Sequence, residues 1–271
     1  MRASALEAIL RRERAIVIAA LGVVALCAWA DLAWVSDGMA TGGMDMTGYR
    51  MIPAGRRLMM PATSPWQPVE FACVFVMWVV MMIGMMVPSA TPMILVHARV
   101  VRQGAAPGKP LAATAWFVGG YLLAWTLFSF AATVGQWALE RFSLLTPAMA
   151  ASSGVFGGAV LSAAGLYQWT PLKETCLSQC QAPMAFILRH GGLRSTATGS
   201  LILGLRHGGY CVGCCWALML LLFVLGVMNL LWIAALAVFV MLEKVLPFGN
   251  ALARLSGLLF VALGVWMLQS L

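Results

Sequence analysis

The chain alternates between long apolar stretches and shorter polar connections. The first apolar stretch covers residues 15–35, and six more follow at 69–97, 111–138, 148–169, 208–228, 230–246 and 252–271. A helix needs about 20 apolar residues to cross the hydrocarbon core of a bilayer. The pattern therefore predicts an all-α fold, a polytopic transmembrane helical bundle with about seven spans.

Two irregularities interrupt this pattern. Pro88 and Pro92 lie inside the second apolar stretch, and they predict a kinked helix because proline removes a backbone donor and its ring clashes with the preceding turn. Residues 197–205 are apolar but too few to span a bilayer. They predict a short interfacial or re-entrant helix before the fifth span.

Composition restricts the class of protein. Of 271 residues, 62% are hydrophobic and 10% are charged, whereas about a quarter of the residues of an ordinary soluble domain are charged. We expect residues 1–271 to form a single integral membrane domain in contact with lipid. The net charge of +8 comes from basic residues at the ends of the apolar stretches, which favours headgroups over nucleic acid as partner.

The basic residues also predict an orientation. If the N-terminus is cytoplasmic, thirteen of the 17 Lys and Arg residues face the cytoplasm, as the positive-inside rule requires. This arrangement predicts a protein of the bacterial inner (cytoplasmic) membrane. Residues 36–68 then form an outer loop rich in methionine, and residues 170–198 form a cytoplasmic loop that contains two cysteines.

Candidate chemistry is concentrated where the fifth span begins. In a helix, successive residues step by about 100°, so four potential ligands share one face, namely His207, Cys211, Cys214 and Cys215. Thiolate and imidazole groups bind Cu(I), Zn(II) and iron–sulfur centres. The spacing of Cys211 and Cys214 is also that of dithiol redox pairs, and a buried Cys can be a packing residue only.

Two further sets of sulfur atoms lie elsewhere in the chain. Cys176 and Cys180 are one helical turn apart, so they point the same way if their segment is helical. Thioethers form two i,i+4 ladders in the second span, Met81 with Met85 and Met82 with Met86. The outer loop adds a methionine pair within residues 43–46. Thioether is a soft ligand, although ladders of Met also occur as ordinary core packing.

Two functional classes fit this distribution. The first is a soft-metal protein with copper favoured and zinc or iron–sulfur as alternatives, acting in Cu(I) acquisition, in transfer or as a buried centre. A metallochaperone or another membrane subunit is then the expected partner. Its site would be a cluster of four thiols with His207 or Cys215 as an alternate group, and the four thiols are Cys176, Cys180, Cys211 and Cys214.

The second class is a membrane thiol–disulfide oxidoreductase that uses Cys211 and Cys214 with Cys176 and Cys180. A cytoplasmic position of all four thiols weakens it, because the cytoplasm keeps thiols reduced. A scaffold subunit of a membrane complex is a further alternative.

Several longer motifs resemble a known family. They are residues 81–89, residues 169–173 with the two cysteines that follow, residues 209–216 and residues 243–247. Over about 70–271 the chain resembles a bacterial family of predicted metal-binding integral membrane proteins, a family with a domain of unknown function. The resemblance implies metal binding and names neither the metal nor its ligands.

Overall fold

The computed structural model describes residues 2–40, 49–51, 59–61, 66–103, 110–146, 149–190 and 196–270. Apart from one short hairpin, the regular structure of these residues is helical, as predicted. The elements in order are α1 (Arg2–Ala40), β1 (Tyr49–Met51), β2 (Met59–Pro61), α2 (Pro68–Gln103), α3 (Pro110–Arg141), α4 (Gly154–Tyr167), α5 (Pro171–Gln181), α6 (Pro183–Arg189), α7 (Ala197–Leu220), α8 (Leu222–Leu225), α9 (Leu230–Val245) and α10 (Gly249–Gln269).

Within the described residues, five helical segments are long and apolar enough to cross a membrane. They lie in α1, α2, α3 and α10 and in the stretch Ala197–Leu225, which combines α7 and α8. The predicted number of seven spans is not confirmed. Of the other predicted spans, α4 has 14 residues and α9 has 16, about 21 and 24 Å of helix against a hydrocarbon core of about 30 Å.

The helix α7 corrects one prediction. It begins after the N-cap Thr196 and continues unbroken to Leu220, so the expected short helix over 197–205 and the start of the fifth span are one element. Two of its glycines serve close packing on α3. A Cβ atom at Gly208 would lie 2.5 Å from the Cβ of Ala124, and one at Gly204 would overlap the carbonyl oxygen of Phe117.

The helix α2 continues through both of its prolines. Pro88 has no N–H to donate to the carbonyl of Gly84, four residues earlier. The indole Nε1 of Trp29 in α1 donates to that oxygen instead, at 3.2 Å. A neighbouring helix thus compensates for the proline within the apolar part of the protein.

The connection over 170–198 contains two helices, α5 and α6, and this places Cys176 and Cys180 on one side of α5 as the spacing predicts. Residues 191–195 lie outside the described part. Between α1 and α2, β1 and β2 pair antiparallel. The methionine pair within residues 43–46 falls outside the described residues, so its role as a soft ligand stays a prediction.

The core is centred on α2, α3 and α7. Its largest fully buried side chains include Trp78, Phe117, Tyr121 and Trp125. The helix α5 packs on α7, and α9 packs on α2. The C-terminal half of α9 therefore meets the sulfur-bearing faces of α2 and α7.

Candidate functional site

Thiols from two helices meet in the core. In α7, Cys211, Cys214 and Cys215 are all buried on the same face as His207. The thiol of Cys180 in α5 interacts with those of Cys211 and Cys214. These cysteines are free thiols. The structure thus joins one residue of the first cysteine pair to the cluster on α7, and we call these four cysteines the thiol cluster.

Cys176 lies at the edge of the thiol cluster. It is buried and faces Gly213, where an added Cβ would lie 2.8 Å from its Sγ. Burial, and to a smaller degree the nearby Cys214, raises the pKa of Cys176. Contacts with Cys211 and Cys214, together with burial, raise the pKa of Cys180 well above its usual range. Both thiols of α5 therefore hold their protons near neutral pH.

Cys211 is the centre of the polar contacts. Its Sγ accepts a hydrogen bond from Nζ of Lys244 at 2.9 Å and lies 3.1 Å from the hydroxyl of Tyr121. The thiols of Cys214 and Cys215 donate to its carbonyl oxygen at 3.1 and 2.9 Å. An ammonium beside a sulfur atom stabilises the thiolate, which is the form that binds metals and attacks electrophiles.

Lys244 connects this cluster to α2. Its Nζ also donates to Oγ of Ser89 at 3.1 Å and lies 3.9 Å from Sδ of Met86. Sequence reasoning did not assign Lys244 to the site. Its signal was a charged residue within an apolar helix, since such residues are rare in membranes and usually functional.

A buried ion pair flanks the cluster. Nζ of Lys173 in α5 lies 2.7 Å from Oε2 of Glu243 in α9, and both side chains are 1% exposed. The amide of Gln181 donates to the carbonyl of Glu243 at 2.8 Å. This pair joins α5 to α9 and so positions Cys180 and Lys244 relative to each other. Lys173 and Glu243 were likewise not predicted as part of the site.

His207 borders the thiol cluster. Its ring stacks with those of Phe117 and Tyr121 at centroid distances of 6.1 and 5.8 Å. Among the described residues, Nδ1 of His207 has no hydrogen-bond partner. A cavity of about 160 Å³ is lined by His207 together with Cys180, Cys211, Lys244, Ser89, Met93 and further residues of α2, α6 and α9.

A second histidine lies beside Phe117. The ring of His97 stacks on that phenylalanine at 4.5 Å and is fully buried. Within the described part of the chain, neither of its ring nitrogens has a hydrogen-bond partner. Sequence reasoning did not place His97 in the site.

The predicted methionine ladders are buried throughout. Met81, Met82, Met85 and Met86 are each at most 1% exposed. Met86 reaches the thiol cluster through Lys244, while the other three are members of the hydrophobic core. The structure therefore brings Met86 next to the candidate site, and a ligand role for the other three methionines stays a prediction.

The donor atoms suit a soft metal, because thiols, a thioether and an imidazole are the ligands that Cu(I) prefers. Across the described ranges, no three His, Cys, Asp or Glu side chains are arranged to hold a metal ion. A closed centre of Cys176, Cys180, Cys211 and Cys214 is therefore not preformed. The reason lies in the contacts above, since Cys211 is engaged by an ammonium and Cys176 faces Gly213.

Comparison with known proteins identifies the family. A family model described as PpoB2, copper chaperone, matches residues 75–267, which run from the first third of α2 to near the end of α10. No curated protein and no solved structure shows significant similarity to the chain. The match confirms a metal-related family and supports copper over zinc or iron–sulfur as the metal. Because it covers well over half of the chain, the protein belongs to the PpoB2 copper chaperone family.

Proposed function

We propose that this protein is an integral membrane carrier that binds Cu(I) at Cys180, Cys211 and Cys214 and passes it to a partner. The observation that carries this proposal is the interaction of Cys180, from α5, with both Cys211 and Cys214 of α7. Thiols from separate helices can close around an ion and can also separate again when the helices shift. Cys215 and His207 border the same place and serve as alternate ligands.

The ligand set favours Cu(I) over the other soft metals. A structural zinc site takes four ligands in tetrahedral geometry, and iron–sulfur clusters also need four thiolates as a rule. Here Cys180 lies near Cys211 and Cys214, with Cys176 at the edge of the thiol cluster, and no set of three such ligands is preformed among the described residues. A univalent soft ion with few ligands suits such a set, and it places less charge in an apolar interior than a divalent ion would.

The proposed direction of transfer is inward. The asymmetry of basic residues supports a cytoplasmic N-terminus in an inner membrane, and residues 36–68 are then outside. The proposal includes the short helices α4 and α9 as two further crossings, which puts the thiol cluster toward the reducing side. Thioether would accept Cu(I) first and thiolate would hold it more firmly. A cytosolic metallochaperone or another membrane subunit is the proposed recipient.

A thiol–disulfide oxidoreductase is the second candidate. The observation in its favour is the contact between Lys244 and Cys211, because a neighbouring ammonium activates a thiolate as nucleophile. The two functions differ in their products. A carrier binds copper with its thiols reduced, whereas an oxidoreductase cycles Cys211 and Cys214 through a disulfide.

The test is metal stoichiometry of the full-length chain. Protein purified in detergent and kept reduced is loaded with Cu(I), separated from free metal and measured by elemental analysis. We expect bound copper in the parent protein and its loss in Cys211→Ser and Cys214→Ser. Cys27→Ser is the matched control, because Cys27 is an exposed residue of α1. Unchanged copper in both cluster variants would refute the proposed site.

Orientation is tested separately. A cysteine introduced by Arg194→Cys is expected to resist a membrane-impermeant thiol reagent in intact cells and to react after the membrane is opened. A cysteine introduced into the outer loop by Arg56→Cys is the control, and it should react in intact cells. Reaction of the first variant from outside would reverse the orientation and favour the oxidoreductase.

A further inference from the structure

The ammonium of Lys244 occupies a position where sulfur ligands converge. Its side chain is 7% exposed. Nζ lies 2.9 Å from Sγ of Cys211 in α7, 3.1 Å from Oγ of Ser89 and 3.9 Å from Sδ of Met86, both in α2. A thiolate, a hydroxyl and a thioether around one positive charge are also the surroundings that a univalent soft ion would take.

The neighbouring carboxylate is engaged elsewhere. Glu243 is bound to Lys173 at 2.7 Å within α5 and α9, so that pair accounts for one positive and one negative charge. A buried charge needs a partner of opposite sign. For Lys244, the group within hydrogen-bond distance that can carry a negative charge is the sulfur of Cys211, with the hydroxyl of Tyr121 beyond it at 3.1 Å from that sulfur.

We propose that Lys244 is a resident cation that competes with Cu(I) for the sulfur of Cys211 and so makes copper binding reversible. This inference rests on the proposed function. In the metal-free protein, the ammonium balances the thiolate. When copper binds, the ammonium gives up its hydrogen bond to Cys211 and keeps its contact with Ser89.

Release reverses this exchange. The Cu(I)–sulfur bond breaks as the acceptor's thiolates bind the ion, and the ammonium returns to the Cys211 thiolate. No electron is transferred. The thiols of Cys180 and Cys214 give up their protons to water as Cu(I) binds and take them back as it leaves, and the ammonium takes the place of Cu(I) beside the Cys211 sulfur. Without Lys244, the departing ion would leave an uncompensated thiolate in the core, which is costly. The expected consequence of removing the charge is slow release.

The experiment measures the rate of copper transfer from the full-length protein to bathocuproine disulfonate, a chelator that changes colour when it binds Cu(I). Lys244→Leu removes the charge and adds no soft ligand beside Cys211. We expect its release to be slower on the order of tenfold or more, because the leaving ion is no longer replaced. Lys244→Arg keeps the charge, and its release should stay near that of the parent protein.

The control removes an ion pair that lies outside the site. The double change Arg254→Gln/Glu174→Gln neutralises an exposed pair between α10 and α5, and it should release copper at the parent rate. Lys244→Gln is a second neutral variant in case Lys244→Leu does not fold, as judged by size-exclusion chromatography and circular dichroism. It should also release slowly.

Two results would overturn the inference. Release at the parent rate from the neutral variants would show that Lys244 does not compete with copper, and equally slow release from Lys244→Arg would show that charge is not the cause. Either result leaves the proposed function intact if the parent protein binds copper. Failure of the parent protein to bind Cu(I) would instead refute the proposed function itself.

Discussion

Two polar clusters along α2 differ in how their groups are partnered. Near its start, the indole of Trp78 donates to Gln136 at 2.8 Å, Gln136 donates to Glu140 at 3.0 Å, and the indole of Trp66 donates to the other oxygen of Glu140 at 2.9 Å. This chain of bonds joins α2 to α3 through neutral amides and one carboxylate, and each of its donors is used.

The thiol cluster is connected to the middle of α2 by Lys244, which contacts Met86 and Ser89. Its groups are partnered differently. There an ammonium faces a sulfur, weak thiol donors share one carbonyl, and Nδ1 of the bordering His207 lacks a partner among the described residues. Fully partnered buried groups rigidify a fold, whereas partly satisfied ones are expensive and mark places where something else binds. Under the proposed function, the first cluster stabilises the fold only, whereas the second also handles copper.

The largest effect on stability is expected at the buried ion pair of Lys173 and Glu243, which flanks the thiol cluster. Lys173→Ala leaves Glu243 charged and buried, so we expect the free energy of unfolding to fall by about 3–5 kcal/mol. Thermal or denaturant unfolding in detergent measures it. The double change Lys173→Met/Glu243→Gln should be far milder. Equal losses in the single and double variants would mean that charge is not what holds α5 to α9.

A smaller loss is expected in the amide chain. Gln136→Leu leaves the indole of Trp78 without an acceptor and should lower the free energy of unfolding by about 1–3 kcal/mol. Copper stoichiometry should not change. Trp137→Leu is the control, because Trp137 is the next residue of α3 and is exposed. A loss of copper in Gln136→Leu would break the contrast between the two clusters.

His97→Phe is expected to act in the opposite direction. It keeps the stacking on Phe117 and removes two nitrogens that have no partner within the described residues. We expect the free energy of unfolding to rise by about 1 kcal/mol, with copper stoichiometry unchanged. If the variant loses copper, His97 belongs to the metal site and the boundary of the thiol cluster has to be widened.

The smallest effect on stability is expected from the methionines. Met85→Leu/Met86→Leu conserves volume and should cost about 1 kcal/mol or less per residue, yet it should lower copper occupancy because Met86 contacts Lys244. The matched control is Met81→Leu/Met82→Leu, which changes an equally buried pair on the same helix. Equal occupancy in both double variants would show that the ladder is packing alone.

The class of fold could be predicted from local pattern, whereas the shape of α7 could not. In a chain of this composition, an apolar run of about 20 residues is best explained as a transmembrane helix, because a helix pairs all of its backbone polar groups within lipid. The continuity of α7 depends on packing against Phe117 and Ala124, which lie far away in sequence. For that reason Gly208 resembled a break between two helices, although in the fold it is a point of close approach.

In the candidate site too, some features could be predicted from local pattern and others depend on packing between helices. The face shared by Cys211, Cys214 and Cys215 follows from the rotation of a helix by about 100° per residue, so spacing alone predicted it. The position of Cys180 beside the thiols of α7 depends on how α5 packs on α7. Lys244 contacts Cys211 although the two residues are 33 positions apart in sequence. Pairings between helices are set by tertiary packing, and a single sequence does not contain that information.

The fit of α3 against Gly204 and Gly208 also sets which changes of chain length the protein can tolerate. These glycines fix the angle at which α7 faces its neighbours. One residue inserted between Gly208 and Cys211 would turn every thiol of α7 by about 100° and shift it by about 1.5 Å, away from Cys180. Seven inserted residues would restore the direction to within about 20° but move the thiols about two turns along the axis. Related chains that keep this site should therefore vary in the composition of α7 long before they vary in the number of residues between its glycines and its cysteines.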